Sequence, residues 1–312
     1  MFRTSSFALL LLFGATAALA ENSARQEQDG SANLASVTQS QAIDARAEQL
    51  QSGDDNTSDL QQSGEGNSAL IRQLGEGNDA RVQQVADSHF NQAAIYQQGA
   101  GNAIEVEQSG RANVLQARSL GEDNLIRVQQ TGFASAEVSQ IGVGNLLSVV
   151  QQGFYEGSTL AVAQDGDANL AVIEQGDGNR LRLEQSGVLN SAAIRQDSYH
   201  NELDFAQRGN DNRLDVAQTG YGSRIEGSTS GNRNAVEISQ SHALNRASVV
   251  QNGDDNLARI EQAYENHQAE ISQLGSANEA VIRQSMAAGV YTGHSALIQQ
   301  NGNGNQATIV QQ

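Results

Sequence analysis

A glutamine follows an asparagine by six positions again and again in this chain, as in Asn67 and Gln73, Asn78 and Gln84, or Asn256 and Gln262. A primary amide carries two N–H donors and one carbonyl acceptor, so identical amides stacked one above another bond to each other. That chemistry is cohesion rather than turnover. The candidate asparagines are Asn67, Asn78, Asn102, Asn124, Asn145, Asn169, Asn190, Asn201, Asn212, Asn234, Asn256, Asn278 and Asn305. The candidate glutamines are Gln62, Gln73, Gln84, Gln108, Gln130, Gln151, Gln185, Gln196, Gln207, Gln218, Gln240, Gln262, Gln284, Gln300 and Gln311.

Other reactive side chains are scattered. His89, His200, His242, His267 and His294 stand far apart, in turns or at asparagine positions, which argues for solvated or substituting histidines rather than a metal site. The acidic turns around Asp54-Asp55-Asn56, Asp177-Gly178-Asn179 and Asp254-Asp255-Asn256 lack calcium-loop spacing. Their charge instead slows premature strand pairing. No nucleophile lies beside a base, so the expectation is no enzyme, no cofactor and no small-molecule substrate. Turn packing is the reading for Phe154, Tyr155, Tyr221 and Tyr291, and Tyr96 points outward.

The elements that position the amides follow from periodicity. Roughly 26 units of about 11 residues tile the chain, with Ala45, Ala134, Ser158, Ser223, His267 and His294 in the asparagine slot of six of them. Ser119 and Thr229 replace the glutamine. Inside a unit the pattern alternates: Asn67, Ala69, Ile71 and Gln73 share one face, and Ser68, Leu70 and Arg72 the other. Period two is the mark of a strand. Between each glutamine and the next asparagine lies a glycine-containing turn such as Leu74-Gly75-Glu76-Gly77. Length changes, as in Val85–Phe90, Gln152–Gly157 and Ser285–His294, fall in these turns.

Strands this short need neighbours to bury a face, so the units stack. The fold class is all-β: a strand–turn–strand β-solenoid of cross-β type, with two units per coil and unit n under unit n+2. About 13 coils at ~4.8 Å give a stack about 60 Å long; a three-unit triangular coil is the alternative. Outward residues two units apart pair Arg81 with Glu105, Glu105 with Arg127, Arg182 with Asp204, Glu237 with Arg259 and Glu261 with Arg283. Asp204/Glu226 and Asp215/Glu237 are like-charged.

Composition bounds the partners. The net charge is −18, and all 18 basic residues are Arg, which excludes a basic nucleic-acid surface. There is no Cys and no Pro. At the N-terminus, Arg3, the apolar run Phe7–Ala17 and Ala18-Leu19-Ala20 read as a secretory signal cleaved between Ala20 and Glu21. The expected organisation is a signal peptide over 1–20, an irregular segment over 21–50 and repeats over 51–312. In the irregular segment Gln26 and Gln49 occupy apolar slots. The last unit, Asn305–Gln312, stops on a strand, so the expectation is an unsealed stack that polymerises head to tail.

The unit resembles the curlin repeat of bacterial curli subunits, Ser-x5-Gln-x-Gly-x2-Asn-x-Ala-x3-Gln. Its later part is met by Gln62-Gly64-Asn67-Ala69-Gln73, by Gln73-Gly75-Asn78-Ala80-Gln84, and by Gln251-Gly253-Asn256-Ala258-Gln262. It is met again by Gln273-Gly275-Asn278-Ala280-Gln284 and Gln300-Gly302-Asn305-Ala307-Gln311. The leading Ser is mostly Asn here. The resemblance implies export through the periplasm and an outer-membrane channel, partnership with a nucleator subunit, and a homopolymeric amyloid fibre at the cell surface that serves biofilm matrix and adhesion. A minor, surface-bound nucleator and a soluble secreted β-solenoid adhesin are the alternatives.

Overall fold

The computed structural model describes residues 11–13, 21–85, 87–286 and 293–312. The signal sequence and its cleavage position at Ala20 lie outside the described residues, apart from a short strand at Leu11–Phe13. Every regular element is a β-strand, and the chain divides into two compact units, Met1–Gly157 and Ser158–Gln312.

Both units are built the same way. In the first, the strand Ser68–Glu76 lies parallel between Arg46–Asp54 and Gln92–Ala100, with Ala47, Ala69 and Ala93 in register. In the second, Glu202–Asn210 lies between Arg180–Val188 and Arg224–Asn232, with Leu181, Leu203 and Ile225 aligned. Each strand therefore pairs with the strand two along, and the coil has two strands. The reason is in the alternation: a strand with one apolar face must place it against the opposite strand of its own coil. Its backbone bonds then go to the coils above and below.

The core is a thin double layer of small and branched side chains. Ala69, Ile71, Ala80 and Val82 are fully or almost fully buried in the first unit, as are Leu181, Leu183, Ala192 and Ile194 in the second. One coil departs from this. Phe205 is fully buried where its neighbours carry Leu or Val, and Gly227 stands directly above it. A methyl group on Gly227 would lie 2.5 Å from the Phe205 ring, so the large and small residues are a volume-matched pair. Outside, the charge register is as the spacing predicts. Arg127 meets Glu105 at 2.8 Å, Arg182 meets Asp204 at 3.6 Å, Arg259 meets Glu237 at 2.6 Å and Arg283 meets Glu261 at 3.5 Å.

The two edges of the coil differ. On one edge all thirteen turns have one length and one form, x-Gly-x-x-Asn, from Asp29–Asn33 to Asn301–Asn305. Their glycines hold φ between +110° and +127°, and the residue before each asparagine is left-handed. Pairing does not stop at the glutamine, as a strand-then-turn reading expects, but runs through this glycine: Gly75 aligns with Gly99, and Gly187 with Gly209. On the other edge the connection varies from three residues, Gly176–Gly178, to nine, Ser285–Gly293. That edge receives the insertions and all five histidines. Among the described residues it also holds every exposed Phe and Tyr side chain. We call the two the uniform edge and the variable edge.

Candidate functional site: two opposed amide ladders

The strand entered from the uniform edge starts on Asn and ends on Gln in every coil. Its glutamines form an uninterrupted inner ladder in each unit. In the first, Gln39 donates to Gln62 at 2.9 Å, Gln62 to Gln84 at 2.9 Å, Gln84 to Gln108 at 2.8 Å, Gln108 to Gln130 at 2.8 Å and Gln130 to Gln151 at 2.9 Å. In the second the series runs Gln175, Gln196, Gln218, Gln240, Gln262, Gln284 and Gln311, with steps of 2.8 to 3.1 Å. Each amide donates toward the C-terminal coil. Its other N–H goes to a carbonyl at the start of the strand opposite, as Gln196 does to Arg180. All are buried, except that Gln311 is half-buried, so the network leaves few polar atoms unmatched.

The opposite strand carries a second glutamine ladder with interruptions. Gln51 donates to Gln73 and Gln73 to Gln97, but Ser119 follows, and its hydroxyl turns to Asn102 Oδ1 at 3.0 Å. In the second unit Gln164, Gln185 and Gln207 are linked, and Gln251, Gln273 and Gln300 are linked. Thr229 separates the two runs and leaves the Gln251 carbonyl oxygen without a donor.

The long asparagine ladder lies on the uniform edge and runs the other way, with one such step, Asn113 to Asn91 at 2.9 Å, on the variable edge. Asn78 donates to Asn56 at 2.9 Å, Asn102 to Asn78 at 3.0 Å, Asn124 to Asn102 at 3.0 Å and Asn145 to Asn124 at 3.0 Å. Asn190, Asn212, Asn234, Asn256, Asn278 and Asn305 each donate back to the asparagine below, the first of these to Asn169. Asparagines and glutamines therefore donate in opposite directions along the stack. The second N–H of each amide reaches up to a glycine carbonyl, as Asn78 does to Gly99 at 3.0 Å. Each such asparagine thus ties three coils together.

Asn67 and Asn201, on the variable edge, do not donate to another asparagine. Asn67 donates to the carbonyls of Ser63 and Ser88, and Asn201 to those of Asp197 and Gly220. Their Oδ1 atoms accept the backbone N–H of the next slot. His267 does the same work with a ring: Nε2 donates to Ala263 O at 2.8 Å and Nδ1 accepts the His294 N–H at 3.1 Å. Its ring stacks on His294, centroids 5.3 Å apart. Burial, then the neighbouring His294, holds its pKa below the ordinary imidazole value. Among the outward acids, Asp79 is raised above the usual carboxylate range by burial and by Glu105.

Two further polar runs escaped the sequence reading. Gln26 donates to Gln49 at 2.7 Å inside the apolar layer, so these residues extend the amide chemistry where they seem misplaced. On the uniform edge Asn210 donates to Asn232 and Asn232 to Asp254, both at 2.9 Å. The signal for this outer ladder is Asn or Asp two residues before the slot in three successive coils, "GND", "GNR" and "GDD".

The ladders offer amide donors and acceptors at the spacing of successive strands. Among the described residues no three His, Cys, Asp or Glu side chains converge as a metal site. A family model for the curlin associated repeat matches residues 53–85, 176–220 and 231–263. A comparison with curated proteins finds no match. The matched segments carry the same Asn-to-Gln strands and uniform-edge turns that recur through the rest of both units. The chain carries curlin associated repeats over these segments, and each unit is a parallel β-solenoid whose coils are joined by buried amide ladders.

Proposed function

We propose that the chain is an exported structural subunit that adds copies of itself end to end into an extracellular cross-β fibre of the curli type. The observation that carries this reading is the equivalence of successive coils. Gln196 meets Gln218 as Gln218 meets Gln240, and Asn234 meets Asn212 as Asn256 meets Asn234. A contact that maps each coil onto the next by translation is heterologous and has no built-in stop. A coil of another copy offers the same donors and acceptors, and stacked amides are the device that fixes register in cross-β assemblies. In a head-to-tail junction both ladders continue unchanged, each donor meeting the acceptor it meets inside the stack.

The N-terminal twenty residues serve export, and the curlin repeats support a place at the cell surface, with an outer-membrane channel and a nucleator subunit as partners. Matrix formation and adhesion follow from the fibre. The test is the purified chain at rest with an amyloid-binding dye. A lag, growth, and loss of the lag on adding sonicated fibres support the reading. A monomer that persists at high concentration with and without seeds overturns it.

A further inference from the structure

Unlike the outward arginines that form ion pairs, Arg72 and Arg118 have no carboxylate partner among the described residues, although the chain is strongly acidic. They flank Tyr96 on the next coil to each, with guanidinium-to-ring distances of 5.9 and 5.8 Å. Four residues further along the same three strands lies the opposite pattern. Glu76, Ala100 and Glu122 are in register, and neither glutamate has a cation partner among the described residues. Between the two strips, Leu74, Gln98 and Leu120 also point outward.

We infer that this face of the first unit is a lateral contact between two copies of the chain lying side by side. Strands repeat at ~4.8 Å in any copy, so two arginines two coils apart and two glutamates two coils apart share a spacing of about 10 Å. Place a two-fold axis along the stacking direction, through the Leu74–Gln98–Leu120 column. The arginine strip of each copy then meets the glutamate strip of the other. The bulky Tyr96 falls opposite the small Ala100, and the leucines meet their own mates at the centre. This is an isologous, closed contact, the same patch used twice. It joins an apolar centre to charged flanks, as lasting interfaces do. Both partners keep the same axial direction, so the pair remains compatible with growth at its ends.

The proposal is independent of end-on growth, and one experiment separates them. Sedimentation velocity on the freshly purified chain should show a species of twice the chain mass in low salt. This species weakens as salt rises and is indifferent to seeds; end-on growth gives seed-dependent particles without a limiting mass. Arg72→Glu with Arg118→Glu should weaken pairing by about 100-fold or more, and so should Glu76→Arg with Glu122→Arg. Mixing the two variants should restore the pair, because each strip again meets its opposite. That restoration rules out simple misfolding as the cause of the loss. A wild-type chain that stays monomeric up to high concentration before growth, a pair that survives either reversal, or a mixture that stays unpaired overturns the proposal.

Discussion

The turn from Gln207 to Asn212 and the turn from Gln218 to Ser223 lie eleven residues apart and reverse the chain by the same amount. The first is repeated in form in every coil of both units. The second keeps its length in the adjacent coils but not its residues, with Ser198, Gly220, His242 and Tyr264 at equivalent positions of four successive coils, and its length changes further along, at Gly176–Gly178 and Ser285–Gly293. The difference is one of coupling. On the uniform edge each asparagine bonds to the coil below and to a glycine carbonyl above, so a change in one turn disturbs three coils. On the variable edge Asn67 and Asn201 donate to a carbonyl of their own turn and to one in the coil above but make no amide step to the coil below, and Ser223 or His267 can stand in for Asn. A slot tied to fewer coils is freer to change by itself.

The largest effect separates two positions of a turn, the glycine two residues after the glutamine and the glycine just before the slot. At Gly209, φ is +110° and a Cβ would sit 2.0 Å from the Gly231 carbonyl oxygen. Gly209→Ala should cost about 3 kcal/mol or more, or prevent folding of the second unit. At Gly222, φ is +62° and the nearest obstacle is the Leu244 side-chain end at 3.2 Å. Gly222→Ala should cost about 1 kcal/mol, the ordinary penalty for a left-handed alanine. Urea midpoints of the two variants measure the gap. Equal midpoints would mean that the close approach of Gly209 to the coil above does not constrain the turn; at Gly220, the variable-edge counterpart of Gly209, a Cβ would likewise meet a carbonyl oxygen, that of His242.

The next contrast sets a continuous ladder against an interrupted one. Gln218→Ala removes the acceptor for Gln196 and the donor to Gln240 in a buried network, a loss of about 2 kcal/mol. Thr229→Gln does the reverse: it offers a donor to the unmatched Gln251 oxygen and an acceptor to Gln207, which now donates to Ser191 O alone. It should raise stability by about 1 kcal/mol, visible as a higher thermal midpoint. A lower midpoint would show that the coil at Phe205 and Gly227 has no room for the longer side chain.

Much of this was legible because the repeat is so regular. Period two placed Ala69, Ile71 and Gln73 inside, and the six-residue spacing placed an amide at each end of a strand. Charge pairs such as Arg259 with Glu237 followed from the two-unit coil. What stayed hidden depends on which of two alternating classes a unit belongs to. Ala45, Ala134, Ser158, Ser223, His267 and His294 read as scattered exceptions, yet all stand on one edge. The residue before each uniform-edge asparagine is left-handed yet is Ala, Asp, Gly, Leu or Arg, a set too mixed to read by type. The match of Phe205 to Gly227 spans 22 positions and shows only once the strands are in register.

The variable edge also predicts a pH response from a histidine, a residue the uniform edge lacks. His267 must be neutral, because Nδ1 accepts an N–H and Nε2 donates one. The coil below offers uncharged Asn245, the coil above the stacked His294, and its own turn the exposed Glu265. Its pKa lies below the unfolded value of about 6.5, so folding favours the neutral ring. The contribution is complete above that value and is lost as pH falls through the lower folded pKa. The wild-type chain should therefore lose thermal stability in mild acid relative to His267→Asn, which keeps both bonds without a titrating group. Parallel decline of the two curves would place the acid sensitivity elsewhere.

The smallest effect should come from the outer charges, and it bears on what sets register. Arg259 meets Glu237 at 2.6 Å, but both side chains are more than a third exposed. Exposed pairs contribute a few tenths of a kcal/mol and are screened by salt. Arg259→Ala should shift the urea midpoint only slightly, and less still in high salt. Gln262→Ala, three residues along the same strand and inside it, should shift it by several times as much. If the two were equal in low salt, the stack would be aligned by its surface charges. The like-charged alignments of Asp204 with Glu226 and Asp215 with Glu237 argue against that, because a register chosen by charge would avoid them. They persist because the buried amides leave the outer residues no choice of partner.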